Sequence, residues 1–269
     1  MTMNRIDNAI LTVHKIDRNS KKDRFANNIH PVVKVLLTAI YIVLLMSVDK
    51  YNLITTLSMS IYVIILSIVA DISIVELLKK FKVIFGLLFI VAVVNPFLDM
   101  QIIGYIGIVP ITGGIISMIT LILKGYFAVI VSLILVYVTS IEKICMALKM
   151  LHIPNVMITV IMLIYRYIVL FLKEVQRIWT AYTLRAPGQR GVNYKVWGSM
   201  IGSMLIRSID RAQNVYQSME LRGFNIDTFF MEKDSFKKTD ILCLAVCLFI
   251  ILVIRFVPVF WLVGNAIIR

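Results

Sequence analysis

Apolar residues in this chain fall in long runs instead of the short amphipathic segments of a water-soluble domain. Val32–Val48, Asn52–Ala70, Phe81–Leu98, Ile115–Val138 and Ile241–Val263 are each close to the roughly 20 residues that cross a bilayer as a helix. A sixth apolar stretch, Ile153–Leu172, carries Tyr165 and Arg166. Beyond it the rhythm changes. Leu205, Ile209, Ala212, Tyr216 and Met219 recur at helical spacing and make one apolar stripe. Arg207, Arg211 and Arg222 fall within about 60° of one another on the opposite side at 100° per residue. Gly223 follows directly, the usual stop one residue past a last turn. An earlier helix, Asn155–Leu184, ends on Arg185 and is stopped by Ala186-Pro187-Gly188. Each long helix thus presents a terminal arginine, where the carbonyl end of the helix favours a cation.

Composition agrees with the runs. The apolar fraction is 60% and the mean hydropathy +0.90, against about 45–50% apolar in soluble domains. Lys and Arg outnumber Asp and Glu by 28 to 15, giving a pI near 9.7. In a membrane protein such an excess marks cytoplasmic loops, not nucleic-acid binding. Arg5, Lys15, Arg18, Lys21, Lys22 and Arg24 precede the first span, so the N-terminal side is expected inside, and this polar, basic stretch has no secretory signal core. Lys79, Lys80 and Lys82 mark an inner loop, whereas residues 99–114 contain no Lys or Arg and belong outside. Residues 173–240 are strongly basic again. Two cytoplasmic flanks cannot be joined by one crossing, so Ile153–Leu172 is expected to lie along the inner face. The predicted fold is an all-α membrane protein with five transmembrane helices, N-terminus in and C-terminus out, and a helical cytoplasmic coupling domain inserted before the last span. Its parts are a basic segment over residues 1–31, a four-span region over 32–138, coupling helices over 139–238 and a final span over 239–269.

Chemistry-bearing motifs are absent. There is no phosphate loop, no G-x-S-x-G and no H-E-x-x-H. His14, His30 and His152 stand alone, and Cys243 and Cys247 lie in an apolar run, so no metal site is expected. Asn95-Pro96 is expected to kink the third span. Lys124, inside the fourth, should face protein or water. Gly104, Gly107, Gly113 and Gly114 form an external connection without an evident site. A juxtamembrane basic patch could attract anionic lipid, but the arm is Arg-rich and mixed with Glu174, Asp210 and Glu220. Arginine forks of this kind suit carboxylates or carbonyls on a protein.

At these residues the sequence resembles the transmembrane T component of energy-coupling factor transporters, in its cobalt-type (CbiQ-like) branch. The resemblance rests on Ile6-Asp7-Asn8-Ala9, Pro31-Val32-Val33-Lys34, Pro154, Tyr165-Arg166-Tyr167, Glu174, Arg207-Ser208-Ile209-Asp210-Arg211-Ala212 and Ser218-Met219-Glu220-Leu221-Arg222-Gly223-Phe224. It implies a coupling subunit of an ABC importer in the cell membrane, joining two ATPase subunits to a substrate-binding membrane subunit for cobalt or nickel uptake. The docking motifs it implies are Leu184-Arg185-Ala186 and Leu221-Arg222-Gly223. Both depart from the family's Ala-Arg-Gly pattern at the alanine, and the first also at the glycine. Arg166, Glu174, Arg207 and Arg211 would support the coupling helices. Leu205, Ile209, Ala212, Tyr216 and Met219 would pack on the substrate-binding subunit. No cofactor is implied for this chain, since ATP and Mg belong to the partner ATPases. A shared component serving vitamin-specific subunits is the nearest alternative. An integral membrane enzyme would need an acidic or nucleophilic constellation that the sparse acids do not form; a scaffold would share the arm's physics.

Overall fold

The structure, a computed structural model, describes residues 7, 10–12, 29–72, 85–99, 102–106, 109–189, 193–225 and 237–256. Outside them lie Ile6, Asn8 and Ala9 of the opening motif, His14, and the basic residues Arg5, Lys15, Arg18, Lys21, Lys22 and Arg24. So do Lys79, Lys80, Lys82, Gly107, Arg190 and Lys233, and parts 81–84 and 257–263 of two expected spans.

The elements are α1 (Pro31–Met46), α2 (Leu53–Val69), α3 (Phe85–Phe97), a hairpin of β1 (Ile102–Ile106) and β2 (Val109–Thr112), α4 (Gly113–Val138), α5 (Ile141–Met150), α6 (Asn155–Arg185), α7 (Tyr194–Leu221) and α8 (Lys238–Phe256). α4, α6 and α8 are long and apolar enough to cross a membrane, and α1, α2 and α3 are shorter apolar helices. This is an all-α membrane protein with one small addition. The connection expected only to be glycine-rich and external contains an antiparallel hairpin, Tyr105 opposite Pro110 and Ile106 opposite Val109. Its Ile- and Val-rich sequence is of the β-favouring kind. The third span breaks where Asn95-Pro96 predicts: Val94 is a turn, and Asn95–Leu98 is a separate short helical turn.

The chain divides into two compact units, residues 19–140 with 234–269, and residues 1–18 with 141–233. The first is a packed helical core. Val33, Leu37, Tyr41 and Leu45 of α1 recur one turn apart and meet Met59, Tyr62 and Val63 of α2, Phe127, Ile130, Val131, Ile134 and Val138 of α4, and Ile251 and Ile254 of α8. Tyr41 stacks on Tyr62 with centroids 4.9 Å apart, and its hydroxyl donates to the Met59 carbonyl at 3.1 Å. Lipid tails are as apolar as these side chains, so close packing rather than transfer from water holds such a core together. Threonines within the helices bond back to the preceding turn: Thr56 donates to the Asn52 carbonyl at 3.0 Å and Thr120 to that of Ile116 at 2.8 Å, as apolar surroundings favour.

The ends of the helices fix their directions. The His30 N–H donates to the Asp240 carboxylate at 3.1 Å, joining the start of α1 to the start of α8. At the other end Arg255 of α8 donates to the Ser47 carbonyl at 3.0 Å, just past α1. α1 and α8 therefore run parallel. Lys124 donates to the neighbouring Val48 carbonyl, so its charge faces protein and meets the negative end of the α1 dipole. α4 begins at that same end. The Gly114 N–H donates to the Asp99 carbonyl at 3.0 Å, and Asp99 pairs with Lys50 at 2.9 Å and accepts from the Tyr51 hydroxyl. A Cβ at Gly114 would lie 2.5 Å from Pro96 Cα, so only glycine allows this approach. α4 thus runs back against α1. Residues 140 and 237 both lie at the His30 end of this unit.

Candidate coupling surface

The second unit is built on two long helices. α6 has 31 residues and α7 has 28, about 46 and 42 Å at 1.5 Å per residue. α5 precedes them and ends on His152, which adopts φ +63°, while the Ile153 N–H donates back to the Leu148 carbonyl at 3.2 Å. His152 is thus a left-handed helix stop, a role histidine fills more readily than most residues. Within α5 the Cys145 thiol is pushed up, first by burial and then by the Glu142 charge, which makes it a poor nucleophile.

α6 buries only Ile158 and Thr159, and α7 buries no residue. Two polar ties join them. Glu174 accepts from Arg207 at 2.5 Å and stands 3.5 Å from Arg177. Its side chain is 19% exposed while that of Arg207 is 61% exposed, so the pair sits half out of water. At the connection the Tyr182 hydroxyl donates to Gln189 at 2.8 Å and accepts from the Asn193 N–H at 3.1 Å. Asn193 then caps α7, accepting from the Lys195 N–H at 3.2 Å. From the N-terminal segment, Asp7 accepts from Gln176 of α6 at 3.0 Å.

Two grooves run between α6 and α7. One, of about 770 Å³, is apolar: Val160, Ile164 and Phe171 face Ala212, Tyr216 and Met219. The other, of about 1210 Å³, collects Arg166, Arg207, Arg211 and Arg222 with only Glu142 and Asp210 as acids.

The helix ends carry the predicted motifs. Arg185 is the last residue of α6, and the Ala186 N–H donates to the Tyr182 carbonyl at 3.0 Å, with Gly188 at φ +87° beyond. Arg222 caps α7. The Gly223 N–H donates to Glu220 and the Phe224 N–H to Met219, both at 2.9 Å, with Gly223 at φ +66°. That pattern is the glycine-terminated stop expected from sequence. Leu184 is 76% and Leu221 89% exposed, so each arginine follows an apolar side chain held in the open.

The apolar stripe of α7 is divided: Ala212, Tyr216 and Met219 line the apolar groove with α6, while Leu205 and Ile209 are exposed. Arg207 lines the second groove with Arg211 and Arg222, as helical phase groups them, and also ties α7 to Glu174. Phase describes one helix about its own axis, and a long arginine reaches across to a neighbour. Sequence reading also missed the Asp240–His30 tie. Its signal was an acid at the mouth of an apolar run, with nothing local to name a partner 210 positions away.

Apolar helices with fixed ends, together with a long-helix unit that has almost no core, define a multi-pass membrane protein. Sequence comparison makes the class specific. The profile of the CbiQ family, described as cobalt transport protein, matches residues 22–229, and the chain belongs to that family. It is similar to an uncharacterized protein of Methanocaldococcus jannaschii, 26% identical over 80% of this chain and 76% of the relative. It is also similar to a protein of Methanocorpusculum labreanum that carries the name fused cobalt transport protein CbiMQ, 32% identical over 43% of this chain and 19% of that protein.

Proposed function

We propose that this chain is the transmembrane coupling (T) subunit of an energy-coupling factor importer for cobalt or nickel, with no catalytic chemistry of its own. In this reading Leu184-Arg185-Ala186 and Leu221-Arg222-Gly223 dock on two ABC-type ATPase subunits, which bind ATP and Mg. The apolar stripe and groove of α7, including Leu205, Ile209, Ala212, Tyr216 and Met219, pack against a substrate-binding membrane subunit. Glu174 and Arg207, with Arg166 and Arg211 beside them, set the angle between α6 and α7. ATP-driven closing of the ATPases moves the two tips, and the helices carry that motion to the cargo subunit.

The observation that carries this reading is the pair of arginine-ended helix stops on an arm whose own helices bury almost nothing. Topology supports it as well. Residues 140 and 237 lie at one end of the membrane unit, which favours an even number of crossings by the segment between them. Among the described residues of that segment α6 alone has crossing length and composition. The coupling reading takes α6 along the inner face, the placement that the charge distribution favours.

The test is affinity purification of the whole complex in mild detergent with Arg185→Ala, Arg222→Ala and the double variant. Loss of a desolvated charged anchor costs about 2–5 kcal/mol of binding. Each single variant should retain less ATPase subunit, and the double none, while the chain itself stays folded. A double variant that keeps its ATPases and its transport activity would remove the docking assignment.

A further inference from the structure

The larger groove between α6 and α7 gathers more cations than the single tie to Glu174 occupies. Arg166 is the one charged residue within 153–172 of α6. It lines this groove with Arg207, Arg211 and Arg222 of α7, four cations against the acids Glu142 and Asp210. Among the described residues Arg166, Arg211 and Arg222 form no ion pair, whereas Arg207 is held by Glu174. α6 adds apolar side chains beside Arg166, Met162, Leu163 and Val169, and Asn214 and Ser218 of α7 add hydrogen-bonding groups.

We propose that this groove binds the phosphate headgroup of an anionic phospholipid from the inner leaflet, with Arg166 and Arg211 as its principal ligands. The proposal rests on the reading that α6 lies along the membrane. An arginine on an otherwise apolar helix at the membrane surface calls for a counter-anion, and the fork of N–H donors matches a phosphate better than a lone ammonium would. A protein carboxylate offers charge alone. A phospholipid supplies an anion to the arginines and an acyl chain to Met162, Leu163 and Val169, so it matches both kinds of side chain in the groove. A generic basic patch attracts headgroups through clustered lysines on an open surface; here the arginines converge from two helices beside apolar side chains. Arg185, at the free end of α6, lies outside the groove and provides the control.

The test is native mass spectrometry of the full chain in mild detergent, titrated with phosphatidylglycerol or phosphatidylcholine. The expected result is retention of one phosphatidylglycerol with about tenfold preference over phosphatidylcholine. R166Q/R211Q should abolish that preference, and R185Q should leave it intact. Equal retention of both lipids by the unaltered chain overturns the proposal, as does an equal loss in R185Q, which would report general charge. Inorganic phosphate displacing the lipid at low concentration would also overturn it, by making the site one for the free anion. A partner protein as occupant would appear as protection of Arg166 from phenylglyoxal in the complex with ATPases but not with phosphatidylglycerol. The placement of α6 is read separately, from labelling of Ser218→Cys by an impermeant thiol reagent in inside-out vesicles. Labelling without lipid preference refutes the site alone, and lipid preference without labelling refutes the topology alone.

Discussion

The two units of this protein solve the problem of apolar helices in opposite ways. In the membrane unit α1, α2, α4 and α8 interlock, and Tyr41, Leu45, Met59, Val131 and Ile251 are closed off completely. Polar groups there are spent on fixing helix ends. In the arm α7 has no buried residue at all, and its tie to α6 is an ion pair across a groove. A core with matched neighbours holds one arrangement, since packed interiors are not continuously deformable. The two long rods of the other unit are joined by a polar strut and a turn. The contrast is between a closed core and an open pair of helices, and the proposed coupling role reads them as an anchor and a lever.

The sharpest way to break the contrast is to remove the same residue type from each unit. Leu45→Ala in the closed core should destabilise the detergent-solubilised chain by roughly 2–5 kcal/mol, because it leaves a cavity. Leu205→Ala on the exposed face of α7 should change stability by no more than about 0.5 kcal/mol, measured by the same denaturant-unfolding series. Equal losses would mean that α7 has a core of its own. A second cut falls on the tie at the His30 end. Asp240 is 5% exposed and accepts from the N–H groups of His30 and Lys237. Asp240→Ala leaves buried donors unmade, a loss of about 1–3 kcal/mol. Asp240→Asn, which keeps one acceptor oxygen, should recover part of it.

How much of this was legible in the sequence follows the same division. The spans, the kink at Asn95-Pro96, the stop at Gly223 and the exposed Arg185 and Arg222 are local properties of length, backbone and capping, and each can be read from a few neighbouring residues. The Asp240–His30 and Arg255–Ser47 ties were not legible, because they join residues more than 200 positions apart and a single sequence carries no pairing signal at that range. Lys124 was recognisable as a charge that must face inward, yet its acceptor is a backbone carbonyl, which no side-chain pattern encodes. Arg207 and Glu174 were grouped as helix support through the resemblance alone, because their ion pair joins two helices and no local pattern names it. His152 read as a lone imidazole; its left-handed backbone explains it without any ligand chemistry. The hairpin was passed over because glycines drew attention from the β-branched residues between them.

The arm's strut gives a smaller effect with a distinct signature. Glu174→Gln and Arg207→Gln, singly and together, should show a coupling of up to about 1 kcal/mol in a double-mutant cycle, since one partner is well exposed and solvent screens the pair. The readout that separates a strut from a mere surface pair is ATPase coupling. Both single variants should slow ATP-dependent uptake while keeping the ATPase subunits bound, and the swap Glu174→Arg with Arg207→Glu should restore uptake in part. Unaltered uptake in both single variants would leave Tyr182 and the turn as the only determinants of the α6–α7 angle.

The smallest effect tests whether exposed charge does in the membrane unit what it does in the arm. Lys50 lies outside the spans, between α1 and α2, and its ammonium is held above the ordinary lysine value of 10.5 by hydrogen bonds to Tyr51 and then Asp99. Its folded pKa is raised, so the protonated form is the one the native state prefers. Its contribution to stability is therefore complete below the ordinary lysine pKa and is lost as pH rises through the raised one. The difference in unfolding free energy between the natural chain and Lys50→Met should be flat from neutral pH to that ordinary value, then shrink above it. Salt should shrink it too, because the ammonium is exposed. A difference that persisted at alkaline pH would assign Lys50 to packing against the Tyr51 ring, 4.6 Å from its nitrogen. In that case the loop between α1 and α2 would be held by contact and not by charge, and polar ties of the exposed kind would belong to the α6–α7 unit alone.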